Sequence, residues 1–257
     1  MTKRFSKQNY LDAKRSFIGN NETFRMPLHN NGVLNRTAFD KAIDYAFHDM
    51  TPRTMKRADE VDFSEIIREG QKSFYETFKR ALTLQDQTSF DEWHHECMKK
   101  VVEFLKKHYK KESCTIGKAQ KVVNMTFKNL CCYQGGEKDN VFNYCHMPID
   151  SWIIEWCSRN ITEHKGWKSC SWSNIDKQYD GYQKAIRDEA SKHGLSPLQL
   201  EFIIWPRIQK EIVVDGMLNC FDTDPEKGER SYSERIKKMS LERKLERIKD
   251  LLENMEP

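Results

Sequence analysis

Residues 113–133 read SCTIGKAQKVVNMTFKNLCCY. A short polar run meets one glycine, Gly117, and then Lys118, Lys121 and Lys128 stand among apolar side chains at helical spacing. Immediately upstream, FLKKHYKKE at 104–112 ends another helical segment in a basic run. Two helices joined by so short a turn lie antiparallel or cross closely, and they present the turn as a shared tip. The second helix begins with free backbone N–H groups and a positive dipole end, a natural seat for a phosphate. Lys106, Lys107, Lys110, Lys111 and Lys118 surround that tip, so one reading is a hairpin that holds a DNA backbone without reading bases. Lysines after a glycine also serve merely to solubilise a helix end, and charge alone does not separate the two readings.

Outward from this hairpin the pattern stays helical. NRTAFDKAIDYAFHDM (35–50) carries apolar residues at 39, 42, 43, 46 and 47 behind a cap at Asn35 or Thr37. DFSEIIREGQKSFYETFKRALTL (62–84) repeats that period, and Ser89 three residues before Glu92 predicts the start of a helix running to about Tyr109. MPIDSWIIEWCSRNI (147–161) reads as a capped helix, YDGYQKAIRDEASKHG (179–194) as one stopped by Gly194, and SPLQLEFIIWPRIQKEIV (196–213) as one opened by Ser-Pro. Residues 1–35 read as an N-terminal arm with little regular structure, EIVVD at 211–215 as the one strand candidate, and 231–257 as a terminal helix. The expectation is an all-α chain, a single domain over 1–257 in two helical lobes, with a helix-hairpin-helix and a cleft between the lobes.

Composition sets the outer bounds. At 257 residues, with 38% hydrophobic and 32% charged side chains, the chain has enough apolar material for a core and is not a disordered polyelectrolyte. A formal charge of only +4 means that any nucleic-acid site must come from clustering rather than from overall charge. No apolar run approaches a membrane span, no signal-type stretch follows MTKRFSKQNY, and the eight cysteines form no C-x-x-C pair. These features predict a cytoplasmic monomer with reduced thiols, no membrane association, no metal and no cofactor.

The segment GKAQKVVNM (117–125) resembles the second helix of the helix-hairpin-helix DNA glycosylases, in which a glycine hairpin leads into a Lys-x-x-Asn or Lys-x-x-Asp run. Further on, HMPIDSWIIEW (146–156) resembles that family's Val-Pro-Val-Asp segment, where an aspartate opens a helix. The likeness covers residues 113–157 and is nearest in layout to the archaeal 8-oxoguanine glycosylase branch. It implies catalytic roles for Lys121, the amine of the bifunctional members, and Asp150, the essential acid. It also implies DNA contacts from Thr115, Ile116, Gly117, Lys118, Lys110 and Lys111. The chain departs from the family in its abbreviated hairpin, CTIG at 114–117, in the inserted CCYQGGEKDNVFNYC (131–145), and in lacking a four-cysteine cluster after Asp150.

The chemistry fits those residue types. Breaking an N-glycosidic bond builds positive charge on the sugar, which a nearby carboxylate stabilises. An attacking lysine must be unprotonated, hence desolvated or beside another cation, and Lys121 has Lys118 one turn before it and Val122 and Val123 beside it. A duplex base reaches such a site only when flipped out and stacked on aromatic side chains, for which Phe142, Tyr144, His146, Trp152 and Trp205 are the candidates. The expectation is base excision from double-stranded DNA, with lyase activity. An oxidised purine and a glucosylated phage cytosine, the latter an anti-phage defence, remain equal candidates for the target. Taken singly, Pro-x-Asp-Ser is an ordinary helix start and a lysine on an amphipathic helix ordinarily snorkels to water.

Other signals compete. Arg159, Asn160 and His164 in RNITEH resemble the ribonuclease motif of HEPN-type helical toxins. His94, His95, Cys97, Cys131, Cys132, Cys145 and His146 include zinc-ligand types without a recognised spacing, and Asp222, Asp224 and Glu226 faintly resemble a calcium loop. A non-catalytic helical module that binds DNA or protein would use the basic hairpin alone.

Overall fold

The protein is described here from a computed structural model covering residues 4–50, 55, 62–161 and 171–219, with side chains to residue 212. The described residues are predominantly helical, as the periodicities predict: α1 (Lys7–Ile18), α2 (Arg36–Asp49), α3 (Phe63–Ala81), α4 (Gln87–His108), α5 (Ile116–Leu130), α6 (Ser151–Asn160), α7 (Tyr179–Lys192) and α8 (Pro197–Asn219). A two-stranded antiparallel hairpin, β1 (His29–Asn30) and β2 (Val33–Leu34), pairs His29 with Leu34. By internal contacts the chain divides into two compact units, residues 1–203 and 204–257.

Within the first unit α5 is the hub. It packs against both α2 and α4, and α3 packs on those two in turn. Every residue from Gly117 to Leu130 is buried, so α5 has no solvent face of the ordinary amphipathic kind. Phe127 sits among Phe78, Phe90 and Trp93, with ring centroids 5.2–5.4 Å away, and anchors α5 to α3 and α4. Asn35 caps α2 by accepting from Thr37 and Ala38, while its own amide donates to the Pro27 carbonyl and ties the preceding hairpin down.

Three local expectations change. The N-terminal arm contains α1, opened by a capping box between Ser6 and Asn9 and closed at Gly19. Its buried positions are Tyr10 and Lys14, and a lysine in the inward stripe hides the helical period from a hydrophobicity reading. Helix α4 starts at Gln87 rather than at Ser89, because the Asp86 carboxylate accepts from the Ser89 N–H and so takes the capping position. EIVVD, the strand candidate, lies inside α8, where the β-branched residues continue a helix already propagating from Pro197. The predicted terminal helix 231–257 and the calcium-like loop at 222–226 lie outside the described residues.

Candidate functional site

The hairpin expected at 113–118 is present: a 3-10 turn at Lys111–Ser113 links α4 to α5. Its tip, however, is covered by the chain itself. Thr115 caps α5 by accepting from the Lys118 N–H, and its hydroxyl donates to the Ser173 carbonyl. Gly117 lies against the Trp172–Ser173 backbone with no room for a Cβ. The Lys118 ammonium turns inward, donating to the Met50 carbonyl at 3.2 Å and lying 4.5 Å from the Trp172 ring centre, and burial pulls its pKa down to about 8. Of the six predicted DNA contacts, Lys110 and Lys111 are exposed, Thr115 and Ile116 are half-buried, and Gly117 and Lys118 are buried.

One turn further along α5 the two predicted catalytic residues meet. Lys121 Nζ lies 2.9 Å from Asp150 Oδ2, a contact between residues 29 positions apart in sequence. Asp150 is the N-cap of α6, and its other oxygen accepts from the Trp152 and Ile153 N–H groups at 3.0 Å each. The carboxylate therefore takes charge-assisted bonds on both oxygens, two from a helix N-terminus and one from an ammonium. The side chains of the pair keep 10% and 12% of their surface exposed.

Residual exposure on α5 is greatest along one line. Lys118, Lys121, Met125 and Lys128, spaced 3-4-3, keep 3–8%, whereas Ala119, Val122, Val123 and Phe127 keep none. Two turns below Lys121, Lys128 Nζ lies 2.8 Å from Glu201 Oε1 and 4.4 and 5.2 Å from the ring centres of Phe17 and Phe202. Glu201 is 1% exposed, and its Oε2 has no hydrogen-bond partner among the described residues. Burial raises the Glu201 carboxyl, with the Lys128 ammonium pulling the other way. Glu201 lies within electrostatic reach of Lys121 and Asp150, and Asp49 at the end of α2 within reach of Lys121, Lys128 and Asp150.

The segment leading into Asp150 is held by two glutamines. Gln120, on α5 beside Lys121, donates to the Ile149 carbonyl at 2.7 Å and accepts from the Ile149 N–H at 3.1 Å. Gln183, on α7, does the same for Met147, at 2.8 and 3.0 Å. Neither glutamine stands out in sequence, because an amide at helical spacing reads as a polar surface position. Lys128 shows in the sequence only as a third lysine among apolar residues, two turns beyond Lys121, with nothing to give it a role.

The proposed base-stacking residues mostly take other roles. Phe142 is buried with its ring 6.4 Å from Phe127, the Tyr144 hydroxyl donates to the Gln85 carbonyl, and His146 is buried between Tyr179 and Asp91. Trp152 is half-buried in the first turn of α6 beside Asp150, and Trp205 is half-buried in the second unit. In the ribonuclease-like motif, Arg159 pairs with Glu155 at 2.7 Å, and His164 lies outside the described residues. No group of three potential metal ligands occurs among the described residues, where six cysteines are free and buried. No helix among them is long and apolar enough to cross a membrane. Compared with protein-family models, curated proteins and solved structures, the chain has no match.

Proposed function

We propose that the protein is a DNA glycosylase with lyase activity, in which Lys121 attacks the sugar and Asp150 manages its proton and charge. The observation that carries this reading is the 2.9 Å contact between Lys121 Nζ and Asp150 Oδ2 on a sparingly exposed line of α5. As a nucleotide enters and water leaves, the neutral amine–acid form gains on the separated charges, which frees the lone pair of Nζ. Nζ then bonds to C1′ as the glycosidic bond breaks, and the base departs with the bonding electrons and takes up the proton that Asp150 received from Nζ, which returns Asp150 to its carboxylate form. Opening of the sugar ring gives an imine between C1′ and Lys121. Loss of a C2′ proton expels the 3′ phosphate and nicks the strand. Asp150 in its carboxylate form stabilises the positive charge that builds on the sugar.

The base would lie along the same line of α5, toward Met125, Lys128 and Glu201, with Phe17 and Phe202 as its aromatic neighbours. Phe17 is 39% exposed, unusual for so large an apolar side chain, and the buried Oε2 of Glu201 is an unused acceptor for a base N–H. Backbone contacts would come from the exposed Lys110 and Lys111, since Lys118 is engaged internally.

Duplexes carrying 8-oxoguanine or glucosylated hydroxymethylcytosine, incubated with the protein and then treated with alkali, test the reading. Strand scission at one modified base, lost in Asp150→Asn, is the expected result. Scission of neither duplex, together with RNA cleavage that survives Asp150→Asn, would remove it.

A further inference from the structure

Asp150 reaches Lys121 only if the extended run before α6, residues 146–150, keeps its register against α5. Three successive devices hold that run. Gln183 of α7 takes both backbone groups of Met147, Gln120 of α5 takes both of Ile149, and Pro148 between them has no N–H to satisfy. The His146 ring, at the start of the run, is fixed from two sides: Nδ1 faces the Tyr179 hydroxyl at 2.9 Å and Nε2 faces Asp91 Oδ1 at 2.7 Å.

These bonds have one consistent direction. Asp91 is an acceptor, holding Arg187 at 3.1 Å and the Gln87 amide at 2.7 Å, so His146 carries its proton on Nε2. In the neutral ring that burial favours, Nδ1 accepts and the Tyr179 O–H donates to it. That leaves the Tyr179 oxygen to accept from Asn124 Nδ2 at 3.0 Å, and the same Nδ2 also reaches Gln120 Oε1 at 2.9 Å. Asn124 Oδ1 in turn accepts from His94 Nε2 at 2.7 Å, so the buried His94 Nδ1 is the lone pair left without a partner among the described residues. Burial pulls the pKa of both rings down and so favours their neutral forms, and the two centroids lie only 4.2 Å apart. Every amide in the chain of bonds therefore has one orientation, and the orientation of Gln120 presents its oxygen to Ile149 N–H and its nitrogen to Ile149 C=O.

We propose that Gln120 and Gln183 are positioning residues for the Lys121–Asp150 pair, with Asn124, Tyr179, His146 and Asp91 bracing Gln120 in the orientation that Ile149 selects. This inference rests on the catalytic reading of that pair, and its geometric part can be tested without DNA. Satisfying buried polar atoms would by itself require only that each group have some partner. Positioning requires in addition that Asp150 shift when a glutamine is replaced by an apolar side chain of similar volume.

The test uses the full chain as Gln183→Met and Tyr179→Phe, beside a core control, Ile43→Val, that is remote in sequence from this run. Neither Gln183 nor Tyr179 is bonded to Lys121 or Asp150. Two readouts are compared at matched melting-temperature loss. One is acylation of the Lys121 amine by a small water-soluble ester, followed by peptide mass spectrometry. The other is borohydride trapping on a duplex with one abasic site. The expected result is faster acylation of Lys121 in both variants and trapping slowed by about ten- to a hundredfold, with duplex affinity unchanged and the control unaffected. Acylation and trapping that follow the melting temperature alike in the variants and the control would overturn the proposal. If the native chain yields no trapped adduct at all, the catalytic reading fails, while the acylation comparison still decides whether the glutamines position the pair. Should Gln183→Met not fold, Tyr179→Phe, which removes a single oxygen, gives the same comparison.

Discussion

Helix α5 carries two lysine–carboxylate pairs of nearly equal length, Lys121–Asp150 at 2.9 Å and Lys128–Glu201 at 2.8 Å, and their surroundings differ. Asp150 accepts on both oxygens, from two backbone donors of α6 and from the ammonium, and both partners keep some contact with water. Glu201 is deeper, uses one oxygen on Lys128, and leaves the other without a partner among the described residues. The first carboxylate would keep its helix-capping bonds if its lysine left; the second would be a buried charge without a hydrogen-bond donor among the described residues. A geometric ion pair is therefore not one thing. Distance identifies it, and the remaining hydrogen bonds decide whether its lysine acts mainly on stability or is available for chemistry.

The largest stability effect should come from the deeper pair. Lys128→Met strands the Glu201 carboxylate and is expected to cost about 3–5 kcal/mol, read as a shift in the urea midpoint. Lys121→Met should cost only about 1 kcal/mol, because the cap bonds of Asp150 remain, while removing every trace of covalent adduct with DNA. Equal stability losses from the two substitutions would erase the distinction.

Next comes the dependence on pH. Burial raises Glu201 in the folded chain, so the fold holds that proton more tightly than the unfolded chain does. Its contribution to stability is then greatest below the ordinary carboxylate range and declines as pH rises through the raised pKa. Urea midpoints of the native chain relative to Glu201→Gln should fall as pH rises from the ordinary carboxylate range through the raised pKa, and a flat difference would mean that Glu201 is not perturbed. If Glu201 also faces the base, the same substitution should alter base release while leaving trapping on an abasic site intact.

A smaller effect belongs to Lys118. Burial lowers its pKa from 10.5 to about 8, so the fold surrenders that proton more readily than the unfolded chain, and carrying the charge costs stability at neutral pH. Lys118→Met should therefore melt slightly higher than the native chain near neutral pH. That gain should fade as pH rises from about 8 toward 10.5, and no gain at neutral pH would show that the Met50 carbonyl and the Trp172 ring fully offset the burial.

How much of this was readable in the chain follows the range of the interactions. Local rules placed α2, α3, α5 and α6, narrowed the cap of α2 to Asn35 or Thr37 and found that of α6 at Asp150, because a cap and an apolar period lie within a few residues of each other. The meeting of Lys121 with Asp150 was legible only through two motifs read together, since nothing in either segment specifies the other. The covering of Gly117 by Trp172 and Ser173, the inward turn of Lys118 toward Met50, and the Glu201 partner of Lys128 were not legible; the last two join residues 68 and 73 positions apart. Charge pattern marks a lysine as available to a partner, but only tertiary packing decides whether that partner is a phosphate or the protein's own carbonyl.

The most direct measurement is borohydride reduction of the protein mixed with a duplex containing one abasic site, followed by digestion and mass mapping of the adducted peptide. The account predicts one covalent sugar adduct, on Lys121, absent from Lys121→Ala and much reduced in Asp150→Asn. An adduct mapped to another lysine, or none formed by the native chain, would contradict it.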